Sequence, residues 1–264
     1  AAESGVRGLE AARADLRREE IASLQRALSA AEEALAADPE NGEARALFAQ
    51  AAFTLQRLYG VSTHAAQAQR HLDALAEDDG AAARKARAAA ALAAGDAAKV
   101  AGLLAPLADD PEAQILLADA HLISGDVDRA LPLIERVLAK APSHAPALHR
   151  QGLALSKKGD REGAAQKFQA AIAAAPEHAS SAVELARIAL DAGDPEGART
   201  HLQAALGGER PRLDGDARAE ALVLRAELHL RAHRGADAAA DFDEALKIRP
   251  KHEQARHGRA RLHL

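Results

Sequence analysis

Twelve histidines are the side chains of this 264-residue sequence most able to do chemistry. Two of them share a helical spacing. In the segment HLRAH, His229 and His233 stand four residues apart, which on a helix would place both imidazoles on one face and allow them to ligate a metal. The segment lacks the glutamate that follows the first histidine of a zinc-protease helix, so a packed, hydrogen-bonded histidine is the favoured reading of His229, and likewise of His121. His144, His178 and His252 each lie two residues after a proline (Pro142, Pro176 and Pro250). That recurrence makes them part of a repeated turn rather than of a catalytic set. The carboxylate pairs Glu32–Glu33 and Asp109–Asp110 read as helix-end and surface charges. The glycines are isolated, so no phosphate-cradling loop with its terminal Lys-Ser or Lys-Thr is present, and no nucleophile elbow occurs. Cysteine is absent, which excludes disulfides and thiolate metal sites. The expectation is a protein with no enzymatic activity, no cofactor and no metal.

The elements that would position such residues follow from composition. Hydrophobic residues make up 48% and aromatics 2%; the apolar residues are chiefly alanine and leucine. These favour helix, and the β-branched and aromatic residues that suit strands are scarce. The formal net charge of −5 argues against a nucleic-acid-binding chain. No apolar run approaches the ~18 residues of a membrane helix. The start, AAESGVRGLEAARADLRREE, has no apolar signal-peptide segment. The lack of any methionine reads as a piece of a longer product. The compartment, cytoplasmic or periplasmic, stays open.

A period runs through the chain. Gly95, Gly125, Gly159 and Gly193 are each followed by aspartate, at intervals of 30, 34 and 34 residues. Five residues after each glycine comes Val100, Ala130, Ala164 or Ala198, and four later Leu104, Ile134, Phe168 or Leu202. Pro111, Pro142, Pro176, Pro211 and Pro250 close the units. A glycine can adopt the left-handed conformation that ends a helix. The aspartate caps the next helix, the small residue lets two helices approach, and the large one fills the space beside it. The first helix of each unit carries its own small residue: Ala118, Gly152, Ala186 or Ala226.

This pattern resembles the tetratricopeptide repeat family, whose unit is a 34-residue helix–turn–helix with small residues at fixed slots and a closing proline. The resemblance is fullest over 111–252, four residues short at 81–110, and degenerate over 41–79. It implies an all-α, right-handed α-solenoid of antiparallel helix pairs, about five to six repeats, with a long N-terminal helix. The expected organisation is a capping helix over 1–40, a repeat array over 41–252 (units near 41–79, 81–110, 111–144, 145–178, 179–212 and 219–252), and a capping or truncated repeat helix over 253–264. Pro106 and Pro132 are expected to kink their helices, and the long loop Gly207–Asp216 to bulge or hinge the array. The stripe Leu9, Leu16, Leu24, Leu28, Ala31 and Leu35 reads as one long cap; a coiled-coil homo-oligomer arm over 6–37 is the alternative, although the spacing breaks between Leu16 and Leu24.

The family holds peptides or folded partners in a concave groove lined by first helices. Carried over slot by slot, the groove rows are Lys85, Ile115, His149, Val183 and Val223; then Ala89, Asp119, Leu153, Arg187 and Glu227; then Leu92, Leu122, Ser156, Leu190 and Leu230. If these rows face solvent, their apolar members form a contact surface; the alternative is that neighbouring or end helices cover them. Some members clamp a C-terminal carboxylate using asparagines, but this chain has a single asparagine, Asn41. The resemblance therefore implies a protein-binding adaptor whose partner is an amphipathic helix, a peptide or a folded domain such as a small GTPase or assembly component. Alanine richness and arginine over lysine suggest a GC-rich bacterial genome. Bacterial members of this kind serve in secretion, envelope or pilus assembly, and motility or polarity. A self-associating spacer is the competing reading. The basic end, Lys247 to Arg261, reads as a solvated last helix and not a nucleic-acid site, since no aromatics interleave with its charges.

Overall fold

A computed structural model describes residues 2–207, 213 and 215–262. Among them the chain is all helix: α1 (Ala2–Leu16), α2 (Ile21–Ala37), α3 (Gly42–Tyr59), α4 (Ala65–Ala74), α5 (Ala81–Ala93), α6 (Ala97–Leu104), α7 (Pro111–Ile123), α8 (Val127–Lys140), α9 (Ala145–Lys157), α10 (Arg161–Ala174), α11 (Ala179–Asp191), α12 (Pro195–Leu206), α13 (Gly215–Arg231), α14 (Gly235–Ile248) and α15 (Glu253–Arg261). Consecutive helices pair, and each pair stacks on the next to build an α-solenoid.

The repeated turns have the chemistry that their residues dictate. Gly95, Gly125, Gly159 and Gly193 take φ between +74° and +83°, a region that costs residues with a Cβ. The next residue caps the second helix: Asp96, Asp126, Asp160 and Asp194 accept from the backbone N–H three residues on. Such a cap is worth about 1 kcal/mol. At the α13–α14 turn the same place is filled by His233, at φ +57°, followed by Arg234, which makes no side-chain cap. Inside the pairs, small residues decide the approach. A Cβ added to Gly152 would lie 2.5 Å from the ring of Phe168, and Ala118, Ala186 and Ala226 are fully buried.

Three expectations change. The N-terminal segment is not one long helix: α1 ends at Leu16 and α2 starts at Ile21. Between them lie Arg17, Arg18, Glu19 and Glu20, four charges that offer no apolar face to bury, and Glu19 takes φ +55°. The break falls where the leucine spacing breaks. Leu9, Leu16, Leu24, Leu28 and Ala31 are buried against the chain's own core, so this stripe is not a seam left for a second copy. Pro106 lies in a short 3-10 turn after α6 has ended, whereas α8 runs on through Pro132 with the proline on its exposed side. Most of the Gly207–Asp216 loop, with Pro211 and its expected hinge, lies outside the described residues, as does Leu264.

One element departs from the stacking. α3 is buried on every side, from Ala44 and Leu47 through Phe48, Ala51 and Phe53 to Leu55 and Tyr59. A helix apolar all round belongs in a core. It packs against α2, α4 and α5 and also reaches α13, five pairs further along. There the fit is tight: a Cβ on Gly215 would lie 1.8 Å from the Tyr59 carbonyl oxygen. One continuous core joins α1 to α5 with Val183, Ala186, Leu190, Leu224 and Leu228 of α11 and α13. The array therefore wraps around its own early helices.

Candidate functional site

Wrapping buries Ala89, Val183 and Leu190 of the inner-face rows against the early helices, and Leu92, Ile115, Leu122 and Val223 are covered by helices of their own and adjacent units. Ile115, Val183 and Val223 are buried, as are Ala89, Asp119, Leu92, Leu122 and Leu190. The chain's own helices cover them, so the expectation of an open apolar trough along the array is corrected. Lys85 and His149 are half-buried. Leu153, Arg187, Glu227 and Leu230 remain half-exposed and Ser156 exposed; these five residues of α9, α11 and α13 are the part of the rows still open.

At the centre the rows carry a buried ion network. Arg150 of α9 donates from Nε and Nη2 to the two carboxylate oxygens of Asp119, both at 2.7 Å. The same guanidinium reaches Glu19 in the α1–α2 turn, Nη1 at 2.7 Å and Nη2 at 3.0 Å. Arg57 of α3 adds a second cation 3.1 Å from Asp119. Burial alone would raise the Asp119 pKa, but Arg150 and Arg57 hold it below the ordinary carboxylate range. The Tyr59 hydroxyl donates to the Glu19 carbonyl at 2.7 Å, fixing the left-handed turn from its other side. Buried ion pairs of this kind contribute little net stability, yet losing one partner costs about 3–5 kcal/mol. Neither Glu19, Arg57 nor Arg150 was marked by the repeat pattern. The available signal was Arg150 itself, at a slot filled by Leu116 in the preceding unit and Leu224 in the last.

A second buried group lies beside it. Ser181 Oγ sits 3.0 Å from Nδ1 of both His149 and His178, and the His149 ring packs on Phe168 and His178. Burial lowers the His178 pKa to about 4 and drives that of His149 well below the usual value. Both imidazoles are therefore neutral near pH 7, and they serve the packing between units. His144 caps α9 through Nδ1, accepting from Ala147 N–H at 3.2 Å. His229 lies 3.5 Å from Asp241. His233 stands beyond the end of α13, so the two histidines of HLRAH do not share a helix face. Among the described residues no group of three or more His, Cys, Asp or Glu is placed to hold a metal ion.

Two concavities stand out among the described residues. One, of about 710 Å³, lies between α12 and α13; its arginines are occupied, Arg225 with Asp241, Arg234 with Asp237, and Arg231 with the Leu190 carbonyl. The other, of about 330 Å³, opens between the α1–α2 turn, α3, α5, α7 and the α8–α9 connection. Leu16, Ile115, Leu116 and Val137 supply apolar wall, with Gln50 and Thr54 of α3 among them. On its charged rim Lys85 pairs with Asp110 and Glu112, Arg17 pairs with Glu112 at 2.8 Å, and Lys140 reaches the Asp109 backbone carbonyl at 3.4 Å.

Sequence models of the tetratricopeptide repeat match residues 111–154, 149–217 and 183–253. No curated protein matches the sequence. Among solved structures, the chain is similar to the human IFIT1 dimer with m7Gppp-AAAA, with a TM-score of 0.72 at 20% identity over 91% of this chain and 58% of that one. A tetratricopeptide repeat protein from Parabacteroides merdae gives a TM-score of 0.62 at 16% identity, over 99% of this chain and 100% of that one. Yeast Tom70 gives 0.58 at 17% identity, over 98% and 56%. The chain thus spans a little over half the length of IFIT1 and of Tom70. At these identities the likeness is one of fold.

Proposed function

Because the chain belongs to the tetratricopeptide repeat family, its matches running from 111 to 253 over more than half the sequence, we propose that it is a non-catalytic scaffold for a protein partner. The partner engages the open part of the inner face: Leu153, Ser156, Arg187, Glu227 and Leu230. One observation carries this reading. The other apolar members of the rows are buried by the chain itself, whereas Leu153 and Leu230 are left half-exposed, together with Glu227 and with Arg187, which pairs with Glu220 at 3.0 Å. Burial raises the Glu227 pKa, while Arg231 and Arg187 nearby favour its charged form. Two aliphatic anchors with opposed charges suit an amphipathic helix or a folded domain: the anchors supply affinity and the charges fix register. The net charge of −5 and the scarcity of aromatics weigh against nucleic acid at this face.

The double variant Leu153→Asp, Leu230→Asp tests it. Both side chains are partly exposed, so the helical circular-dichroism signal should persist while recovery of partner from a lysate falls at least tenfold. Recovery equal to that of the unmodified protein, with the fold intact, overturns the reading.

A further inference from the structure

The cleft of about 710 Å³ between α12 and α13 departs from the repeat that surrounds it. Among its lining residues are Arg199, Arg225, His229, Arg231 and Arg234. One unit earlier the same places hold Ala165, Leu185, Ala189, Asp191 and Asp194. Two alanines, a leucine and two aspartates have given way to four arginines and a histidine, in a chain of net charge −5. Arg225 has a structural use, since its Nε and Nη2 clasp the Asp241 carboxylate at 2.9 and 2.6 Å. Arg199, Arg231 and Arg234 add little to the fold. Arg234 stands where aspartates cap the second helices of the four preceding units, and it provides no side-chain cap. Its pair with Asp237, like that of Arg199 with Glu196, is exposed on both sides, and such pairs contribute little. Arg231 donates from Nη1 at 2.6 Å to the Leu190 carbonyl, which already accepts from the Gly193 N–H. That acceptor orients the guanidinium without cancelling its charge. Among the described residues no carboxylate lies within ion-pair distance of Arg231; Glu227 feels it from further off.

We propose that this cleft binds a small organic phosphate, with the phosphate among Arg199, Arg231 and Arg234 and the apolar body over Leu202, Leu206 and Leu228. Three observations carry it. Places where a local rule is broken with no gain to the fold are characteristically functional, and here every break is toward a basic residue. The volume falls within the ~300–1,000 Å³ range of ligand sites. The three leucines line the same cleft, Leu202 and Leu228 buried and Leu206 half-buried, so the cations stand beside an aliphatic floor. The chemistry matches: a guanidinium fork takes phosphate oxygens two at a time, and a phosphate ester offers three oxygens and about two charges at neutral pH. Glu196 and Asp237 yield to it readily, because exposed pairs of this kind are weak and easily exchanged. The cleft shares no residue with the inner-face surface proposed above, so either can fail alone.

The probe is phenyl phosphate, titrated into the full chain and followed by calorimetry at neutral pH. The expected result is saturable binding of one molecule per chain. Arg231→Gln, at an exposed position, should weaken binding about tenfold with the helical signal intact. Arg234→Asp restores the aspartate of the preceding units. It should weaken binding about tenfold and also raise the urea midpoint, since it returns the missing cap. Inorganic phosphate lacks the apolar body and should bind about tenfold more weakly than phenyl phosphate. Phenylacetate, with one charge on a carboxylate, should do the same. Absence of saturable binding overturns the proposal, as does undiminished binding in either variant. A lowered midpoint in Arg234→Asp with binding retained also overturns it, because Arg234 would then serve the fold. Inorganic phosphate binding as tightly as phenyl phosphate removes the apolar subsite, and tighter binding of phenylacetate assigns the cleft to carboxylates; either result sinks it.

Discussion

The smallest informative unit is Ser181 between two imidazoles. One hydroxyl can donate to only one Nδ1, so the other imidazole must donate to it, and the accepting ring must be neutral. In the folded state the His178 pKa is lowered to about 4 and that of His149 lies well below its usual value. In the unfolded chain both titrate near 6.5. For a depressed pKa, the unfolded state takes up protons first. The contribution is therefore complete above about pH 6.5 and is lost as pH falls towards 4. For His178 alone the span corresponds to about 3 kcal/mol. Urea unfolding at pH 7.5 and pH 4.5 should show a clear loss of stability on acidification. His149→Asn, which removes one titrating ring, should reduce that pH dependence. An undiminished dependence would assign it elsewhere, for example to Asp119. The recurrence of a histidine two residues after Pro142, Pro176 and Pro250 made His178 legible as a structural part of a turn, whereas the repeat slots put His149 in the groove row. Their meeting at one serine was not legible, because it links different units.

Helices and turns were the most readable level. Glycine followed by aspartate states both the end of one helix and the start of the next, and it does so through contacts within a few residues. The four pairs at 95, 125, 159 and 193 all fold that way. The α13–α14 turn was not readable from that signal, because His233 and Arg234 occupy the two places. His233 holds a left-handed conformation without glycine's freedom, and Arg234 provides no side-chain cap. His233→Gly should therefore stabilise the protein by about 1 kcal/mol, read as a higher urea midpoint at pH 7.5. A lower midpoint would mean that the imidazole makes a contact worth more than the strain. The break after Leu16 has a different cause. Helical periodicity continues on both sides of it, so the apolar stripe suggests one rod even though the heptad spacing slips between Leu16 and Leu24. The four charges from Arg17 to Glu20 decide otherwise, since Glu19 finds its partner in Arg150, 131 residues away.

At the scale of the whole molecule, the repeat pattern described an open ribbon and the structure shows a closed one. Periodicity reports what each unit does to its neighbour; it is silent on which units meet after a turn of the superhelix. The closure rests on α3 meeting α13 at Tyr59 and Gly215. Gly215→Ala places a Cβ against the Tyr59 carbonyl and also disfavours the residue's φ of +48°. It should lower the melting temperature by several degrees. Hydrogen-exchange protection should fall first at the C-terminal turns of α3 and the first turn of α13, while α7 to α10 keep theirs. Uniform loss of protection would mean that the contact does not bound a separate opening unit.

Repeat proteins ordinarily assemble from local steps, each unit completing itself on the one before. Here the axial position of α3 forbids that economy. During synthesis α3 is finished some 150 residues before α13 exists, so the end of α3 at Tyr59 that α13 covers must wait, exposed, for the late part of the chain. Unfolding and refolding of this array should accordingly proceed as a single slow event, with a rate set by distant pairings rather than by the quick zipping of adjacent units.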